Sequence, residues 1–334
     1  MTDHRADWDH DVVAIGNALV DVLSHEEEAF ISAEGLNKGA MTLINESRAQ
    51  TLYDSMGPGI EISGGCAANT VVGVAAFGGT AAYIGRVADD QLGTVFAHNI
   101  QSTGVDYAVL PASGGSSTGR CLIVVTPDAQ RTMSTFLGAS NEMHPGQVDL
   151  ELIRNASQVY LEGYLWDPPE AKEAMLLAAK AANSVGSMVS LTLSDSFCVE
   201  RHRESFRSLI ADHVQLLFAN ELEIKALYET DDLDSAIRQV GEGVDIAAVT
   251  LGRNGSLVVA NGEAIRVKAV EVPRRVDTTG AGDLYAAGFL FGLARGYDLS
   301  ICGQLGSAAA SEVITHMGAR PQTDLAAIAE KILS

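Results

Sequence analysis

The sequence is poor in positive charge, and this shortage limits the ligands that it can bind. Its 334 residues include 22 Lys and Arg against 43 Asp and Glu, which gives a formal net charge of −21. This acidic balance argues against binding to nucleic acid or to an anionic membrane. Any phosphate ligand must instead be held by backbone dipoles, a metal ion and a few placed cations.

Cysteine is also scarce, and long apolar runs are missing. The four cysteines are scattered without a Cys-x-x-Cys pair, which argues against a structural zinc site or a disulfide framework and favours reduced thiols. No run approaches the roughly 20 apolar residues of a membrane span, and residues 1–11 are polar and acidic rather than signal-like. The sequence predicts a cytoplasmic protein with no membrane or nucleic-acid partner.

Two well-known phosphotransfer motifs are absent as well. The chain has neither a Gly-x-x-x-x-Gly-Lys-Ser/Thr loop nor the protein-kinase motif set, so both of those folds are excluded. With 47% hydrophobic residues, the chain can nevertheless build a sizeable core.

Apolar segments of strand length alternate with helix-like segments through most of the chain. This alternation predicts an α/β fold with a parallel sheet covered by helices on both faces. The predicted strands are 12–15, 81–84, 159–161, 188–193, 216–218 and 246–250. The predicted helices are 69–77, 92–102, 170–183, 200–211, 221–228, 235–240, one starting after Gly280, and 300–314.

Two segments do not fit this alternation. Residues 39–44 form a short strand-like piece, and residues 120–136 read as a hairpin around the turn at 126–129. We expect them to form a small β lid from inserted segments at about 36–46 and 103–137. No linker divides the chain, so residues 1–334 are predicted to form one domain.

The segment Asp277-Thr-Thr-Gly-Ala-Gly-Asp283 precedes an apolar run and is the most informative motif. A helix beginning here would direct backbone N–H groups of Gly280, Ala281 and Gly282 at an anion. A carboxylate beside that anion is useful if Asp283 removes a proton from an attacking hydroxyl. An ordinary glycine turn with an acidic residue at the helix start is the alternative explanation.

Two further loops carry groups that suit a polyol. Gly64 and Gly65 allow a close approach to the backbone, and Asn69 can offer its amide to a hydroxyl. Asn17 and Asp21 follow the first predicted strand, where ligands of parallel sheets bind. Helix capping by Asn69 and loop capping by Asp21 remain alternatives.

Two later loops suit a nucleotide and its metal ion. Asn220 and Glu223 have the spacing of a capping box, and they can also hold the waters of Mg²⁺. The loop from Thr250 through Gly252 to Gly255 can pass close to a nucleotide phosphate.

Over essentially its whole length, the chain resembles the ribokinase-like (PfkB) family of carbohydrate and nucleoside kinases. The resemblance rests on Gly64-Gly65 with Asn69, on 277–283, on Asn220-x-x-Glu223 and on Thr250-x-Gly252. Ala88 and Tyr285 depart from the usual family residues. Within the family, segments such as 16–21, 193–197 and 217–221 are most similar to adenosine kinases.

The resemblance implies a ribokinase-like fold and transfer of the γ-phosphoryl group of ATP, with Mg²⁺, to the 5′-hydroxyl of a nucleoside, adenosine above all. Asp283 is then the base, and Asp21, Gly65 and Asn69 hold the ribose beside Asn17. The late helix is implied to flank the adenine of ATP through Ser307, Ala310 and Val313. Asp277 and Thr279 are similar to part of a monovalent-cation site, for which K⁺ is the candidate ion, and the protein is expected to be a monomer or homodimer.

Leu43 and Phe136 are candidates to stack on the acceptor's base, although core packing explains them equally well. A kinase acting on ribose, fructose or a sugar acid is the alternative, and it would need a polar pocket instead. The apolar residues in the region favour the nucleoside: Leu43, Met133, Phe136, Leu137 and Trp166. A third possibility is an inactive ligand sensor, against which the intact 280–283 segment argues.

Overall fold

A computed structural model describes residues 8–107, 112, 114–128 and 130–334. The described chain contains two β-sheets. In chain order its strands are β1 (His10–Ile15), β2 (Leu19–His25), β3 (Met41–Leu43), β4 (Ile60–Gly64), β5 (Ala81–Ile84), β6 (Val105–Asp106), β7 (Gly119–Val125), β8 (Arg131–Phe136), β9 (Ala156–Glu162), β10 (Met188–Thr192), β11 (Leu216–Asn220), β12 (Ile246–Thr250), β13 (Ser256–Ala260) and β14 (Glu263–Val267).

Most of the helices cover the larger sheet, while the second in chain order packs on the smaller one. The helices are α1 (Glu28–Ala33), α2 (Glu46–Ser55), α3 (Cys66–Ala76), α4 (Gln91–Ser102), α5 (Leu150–Arg154), α6 (Pro169–Val185), α7 (Ser196–His213), α8 (Glu221–Tyr228), α9 (Leu233–Gly243), α10 (Ala281–Ala294), α11 (Leu299–Val313) and α12 (Leu325–Leu333). Short 3₁₀ turns lie at Gly138–Glu142, Pro145–Gln147, Gly163–Trp166 and Gly252–Asn254.

The larger sheet has nine strands in the order β14-β13-β12-β11-β10-β9-β1-β5-β6. All neighbouring strands from β12 to β6 are parallel, as the strand–helix alternation predicts. Strands β13 and β14 extend it as an antiparallel hairpin that the sequence did not predict. The α/β fold with a mainly parallel sheet is therefore confirmed.

Side-chain alternation along the strands divides the core into two parts, one on each face of this sheet. On β1, Val12 and Ala14 belong to the part that includes α3, α10 and α11, whereas Val13 and Ile15 belong to the part that includes α6 and α7. All four side chains are fully buried. Burial on both faces explains why the strand reads as a continuous apolar run.

The smaller sheet, which we call the lid, has the strand order β3-β8-β7-β2-β4. The predicted boundaries of the lid were therefore incomplete, because β2 and β4 belong to it as well. They were also too wide at one end, since β6 pairs with β5 in the main sheet. The predicted hairpin of β7 and β8 is confirmed as antiparallel, while Ala129 in its turn, with 108–111 and 113, lies outside the described residues.

Helices α10 and α11 pack closely through small residues. A Cβ built on Gly288 would lie 2.6 Å from the carbonyl oxygen of Leu305, and one on Gly306 would lie 2.6 Å from that of Tyr285. This close packing fixes α10, and therefore the position of its first turn, against the rest of the core. Among the described residues, no helix has both the length and the apolar character needed to cross a membrane.

Candidate active site

Most of the candidate polar residues lie where strands of the main sheet end. Asn17 follows β1, Glu162 ends β9, Asn220 ends β11 and Thr250 ends β12. These strands are parallel neighbours or near neighbours, so their carboxyl ends share one edge. Ligands of open parallel sheets bind at this edge, which is where the sequence placed the site.

Asp283 lies in the first turn of α10 and faces α3. Asn69 Nδ2 donates a hydrogen bond of 2.9 Å to Asp283 Oδ2. Burial raises the pKa of Asp283 to about 6, against the lowering effects of hydrogen bonds from Asn69 and Cys66 and of the Arg320 charge. The carboxylate is therefore a stronger base than an exposed aspartate, and it is still mostly ionised at neutral pH.

The N-terminus of α10 offers free backbone donors beside this carboxylate. Gly280 precedes the helix with a φ of 78°, and a Cβ there would lie 2.6 Å from the Cβ of Ala319. Within the described part of the chain, the N–H groups of Gly280 and Gly282 have no backbone acceptor, whereas Ala281 N–H donates to Thr278 O at 3.2 Å. The predicted anion site thus keeps Gly280 and Gly282, while Ala281 is engaged in the turn.

Asn17 and Asn69 each present an unpaired acceptor. Their side chains are 2% and 5% exposed, and in both the amide nitrogen donates to a carboxylate: Asn17 to Glu162 and Asn69 to Asp283. Both amide oxygens are buried, and neither has a hydrogen-bond partner among the residues that the structure describes. Because an unpaired buried acceptor is costly, these oxygens indicate a place for ligand hydroxyl groups.

Glu162 is a site residue that the sequence analysis did not select. It accepts hydrogen bonds of 2.9 Å from Asn17 Nδ2 and from the N–H of Ala67 at the start of α3. Burial raises its pKa to about 7 despite these bonds. Its position as the single acidic residue ending an apolar strand was the signal in the sequence that could have identified it.

Asp21 reaches the site from the lid strand β2. Burial raises its pKa to about 6, while Arg320 and Arg131 lower it and Asp283 raises it further. Strand β4 pairs with β2 here, and a Cβ on Gly64 would lie 2.5 Å from the Asp21 carboxyl carbon. Gly65 has a φ of 101° and approaches Asn17 so closely that a Cβ would lie 2.1 Å from its carbonyl oxygen. The predicted polyol residues are thus brought together.

The lid also places a cation at the 277–283 segment. Arg131 on β8 forms an ion pair with Asp277 and donates a 2.6 Å hydrogen bond to Thr279 Oγ1. Burial would raise the pKa of Asp277, but hydrogen bonds from Arg131 and from the N–H groups of Thr279 and Gly318 lower it below its usual value. In this conformation a guanidinium occupies the position where Asp277 and Thr279 were predicted to hold a monovalent cation.

The two residues proposed to stack on the acceptor's base border a cavity of about 310 Å³ at the end of the lid. Leu43 pairs with Thr135, and its side chain is 58% exposed. Phe136 directly follows Thr135 on β8 and pairs with Arg120. Because side chains alternate along a strand, Phe136 points to the face of the lid opposite that of Thr135 and Leu43. Of the two, Leu43 therefore has the position that suits stacking.

Asn220 and Glu223 form the capping box that their spacing predicts. Glu223 N–H donates to Asn220 Oδ1, and Asn220 N–H donates to Glu223 Oε2, both at 2.9 Å. Burial raises the pKa of Glu223 to about 7, with a further contribution from Asp195. Both carboxylate oxygens of Glu223 accept from Asn220, one from its N–H and the other from its Nδ2. Among the described residues no cluster of three acidic, His or Cys side chains is placed to hold a metal ion directly, so Mg²⁺ near this pair would be held through water.

The residues predicted to line the nucleotide differ in how accessible they are to a ligand. Thr250 ends β12, and a Cβ on Gly252 would meet open space, which leaves this loop accessible. Gly255 has a φ of 84° and approaches Val267 O, which is a backbone role. On α11, Ala310 is partly exposed and Ser307 Oγ donates to Lys268 O at 3.2 Å. Val313 is fully buried in the core, so in this structure it packs rather than faces a ligand.

Comparison with known proteins agrees with this geometry. The family model described as pfkB family carbohydrate kinase matches residues 61–325. A structure of adenosine kinase from Sinorhizobium meliloti is 48% identical, with a TM-score of 0.89 over 96% of this chain and 99% of that one. A structure of a probable sugar kinase protein from Rhizobium etli is 45% identical, with a TM-score of 0.90 over 97% and 98%.

A more distant relative matches over a similar length. A nucleoside kinase of Methanothermobacter thermautotrophicus is 25% identical over 313 residues, which cover 93% of this chain and 91% of the relative. The match of the family model spans most of the chain, including the lid strands β7 and β8 and the whole 277–283 segment. The protein belongs to the pfkB family of carbohydrate kinases.

Proposed function

We propose that this pfkB-family kinase transfers the γ-phosphoryl group of ATP to the 5′-hydroxyl of a nucleoside, with adenosine as the preferred acceptor. The observation that carries the phosphotransfer is the position of Asp283. Its carboxylate lies at the first turn of α10, beside free N–H groups of Gly280 and Gly282. A base and an anion site are thus held next to each other by one helix.

In this proposal the acceptor's hydroxyl lies against Asp283, which accepts its proton as the oxygen attacks phosphorus. The hydrogen bond from Asn69 Nδ2 engages Oδ2 of Asp283 and orients the carboxylate. The N–H groups at the start of α10 bind the negative charge on the transferred group. These groups need no basic surface, in agreement with the net charge of −21.

The acceptor's sugar hydroxyls would bind in the polar cluster of Asn17, Asp21, Asn69 and Glu162. The amide oxygens of Asn17 and Asn69, which have no partner among the described residues, can each accept a hydrogen bond from a hydroxyl. The Asp21 carboxylate, brought in by the lid, can accept another. A vicinal diol satisfies such acceptors together, which favours a sugar or a ribosyl group over a simple alcohol.

Mg²⁺, bound with ATP near Asn220 and Glu223, would supply charge neutralisation for the phosphates. The chain's own contribution there is to hold two oxygen-bearing side chains at the end of β11 by the capping box. Thr250, Gly252, Ser307 and Ala310 are proposed to line the nucleotide.

The choice of a nucleoside rests on the cavity beside Leu43. Its volume of about 310 Å³ and its mixed lining suit a base, which has flat apolar faces and polar edges: the apolar members are Leu43, Ile44, Phe136 and Leu137, and the polar ones are Ser116, Thr135, Asn141 and Glu142. The high identity to a chain described as an adenosine kinase supports the same choice. A sugar kinase is the second candidate, because the similarly close Rhizobium etli structure is described as a probable sugar kinase and the hydroxyl-binding cluster serves either acceptor.

The test is an ADP-release screen with Mg·ATP across nucleosides, ribose, fructose and sugar acids. We expect kcat/KM for adenosine to exceed that for ribose at least about tenfold, because a buried purine adds apolar contact. Higher kcat/KM for ribose or fructose would assign the protein to the sugar-kinase alternative. Absence of ADP release with every acceptor would refute the phosphotransfer proposal itself.

A further inference from the structure

Arg320 is a largely enclosed cation that no step described so far uses. It follows Gly318-Ala319 after α11 and extends toward the junction between β4 and α3. Its guanidinium donates to the carbonyl oxygen and Oγ of Ser63, the latter at 2.9 Å, and to the carbonyl oxygen of Ala68 at 3.0 Å. Ser63 in turn donates through N–H and Oγ to Asn99 Oδ1 on α4, at 3.0 and 2.6 Å.

These partners fix the guanidinium but do not neutralise it. Ser63, Ala68 and Asn99 are all uncharged, and in the described part of the chain no carboxylate lies within ion-pairing distance of Arg320. Ser63 is followed by Gly64, where a Cβ would lie 2.5 Å from the carboxyl carbon of Asp21, and Ala68 is followed by Asn69, which donates to Asp283. The contacts of Arg320 therefore hold its charge beside these two site carboxylates, and it acts on both of them. Burial of a cation without a direct ion pair is costly and calls for a reason.

We propose that Arg320 is a positioning residue whose fixed positive charge keeps the Asp21 and Asp283 carboxylates ionised together in the candidate active site. The proposal rests on the proposed function only in giving Asp283 the role of base. The position of the Arg320 charge follows from the hydrogen bonds of Arg320 and does not depend on which acceptor the protein phosphorylates.

The other groups around Asp283 do not provide that charge. Helix α3 presents Asn69 and the thiol of Cys66, β9 presents Glu162 and Tyr160, and the lid presents Asp21. Three carboxylates thus share one enclosed region, in which the charge of Asp283 raises the pKa of both Asp21 and Glu162. Arg131 also acts on Asp21, but it is paired with Asp277.

The effect of Arg320 therefore has a defined sign. Its charge lowers the pKa of Asp283 and of Asp21, opposing the larger upward effect of burial. Burial lowers the pKa of Arg320 itself to about 10, so it stays charged through the neutral range. Removing the charge while keeping polar contacts should leave both carboxylates protonated over a wider range of pH.

The experiment is a titration of ¹³C-carboxyl-labelled aspartate in the protein without substrates, followed by NMR, with the Asp283 signal assigned through Asp283→Asn. In Arg320→Gln we expect the pKa of Asp283 to rise by about one unit. In Arg320→Lys, which keeps the charge, we expect a rise of less than about half a unit. The matched control is Arg295→Gln. Arg295 also donates to a backbone carbonyl oxygen, that of Gly78, but its guanidinium pairs with Asp11 and lies outside the site.

An unchanged Asp283 titration in Arg320→Gln would overturn the proposal, as would an equal shift in Arg320→Lys or Arg295→Gln. If Arg320→Gln does not fold, Arg320→Met replaces it as the variant without the charge: a rise of about one unit in the pKa of Asp283 supports the proposal, and an unchanged titration overturns it. This readout needs no turnover, so it remains valid even if adenosine is not the acceptor.

Kinetics provide the second readout once an acceptor is known. For Arg320→Gln, kcat/KM should fall about tenfold relative to wild type near pH 6 and recover to within about threefold near pH 9. A loss of the same size at every pH would indicate a purely structural role and would overturn the proposal.

Discussion

Arg131 on the lid and Asp277 before helix α10 form a nearly buried ion pair that joins the lid to the segment preceding that helix. Their side chains are 10% and 4% exposed. Met317 adds an apolar contact nearby, against the lid residues Cys121 and Ile123. The lid is thus held against the start of the helix that carries Asp283, which links lid position to the assembly of the site.

We predict that Arg131→Gln lowers kcat/KM at least about tenfold, because the lid loses its charged contact and the anion site loses a neighbouring cation. The measurement is steady-state kinetics with the best acceptor. Lys38→Gln is the matched control, since Lys38 is another lid cation but pairs with Glu28 and Asp128 within the lid. Equal losses in both variants would contradict a specific role for Arg131.

The same ion pair bears on the predicted monovalent-cation site. If Arg131 supplies the charge at Asp277 and Thr279, exchange of K⁺ for a bulky organic cation at constant ionic strength should change wild-type kcat less than about twofold. Arg131→Gln should then be the variant that gains activity on addition of K⁺. Strong K⁺ activation of the wild-type protein would show instead that a metal ion displaces the guanidinium during turnover.

Asp283→Asn should abolish most turnover. Asparagine keeps the size of the side chain and its contact with Asn69, but it cannot accept the hydroxyl proton. Loss of a positioned base typically costs about 10²–10⁴ in rate. The control is Asp324→Asn, in which the altered carboxylate also lies at a helix start but caps α12. Retention by Asp283→Asn of more than about a tenth of wild-type kcat would remove Asp283 from the role of base.

The same substitution should stabilise the fold above pH 6. The pKa of Asp283 rises from 3.8 to about 6 on folding, so ionisation of this group opposes folding as pH increases through that interval. Asp283→Asn should therefore raise the free energy of unfolding by about 1–2 kcal/mol at pH 8, and this gain should vanish near pH 4. Urea unfolding at both values of pH measures the difference.

The control for stability is again Asp324→Asn. Asn caps a helix about as well as Asp, so this variant should change the free energy of unfolding by less than about 0.5 kcal/mol at either pH. A stability gain for Asp283→Asn that is independent of pH would rule out carboxylate burial as its cause.

Glu223→Gln should separate metal binding from helix capping. Glutamine can still accept the hydrogen bond from Asn220 N–H, but its amide nitrogen cannot accept the second one, from Asn220 Nδ2, so we expect the melting temperature to fall by about 2–4 °C. Loss of the charge should raise the Mg²⁺ concentration for half-maximal activity at least about threefold. A magnesium titration at saturating ATP measures this, with Asp232→Asn, a cap of α9, as control. An unchanged magnesium requirement would leave Glu223 as a structural cap.

The sequence by itself determined the parallel sheet, the helix starting after Gly280 and the placement of Asn17, Asn220 and Thr250 at strand ends. These features are local: apolar runs of strand length, glycine turns and helix-start residues act within a few positions of one another. Because the strands are parallel, residues that follow them lie together at the carboxyl edge of the main sheet.

The tertiary structure alone decided which distant residues share the site. Glu162 meets Asn17, Arg131 meets Asp277 and Arg320 meets Ser63, across separations of 145, 146 and 257 residues. Nothing in the local pattern around an acidic residue ending a strand, or around an isolated arginine, indicates its partner. The membership of β2 and β4 in the lid could not be predicted for the same reason, because strand pairing depends on two segments that are distant in the sequence. The charge balance around Asp283 likewise depends on residues from several distant segments.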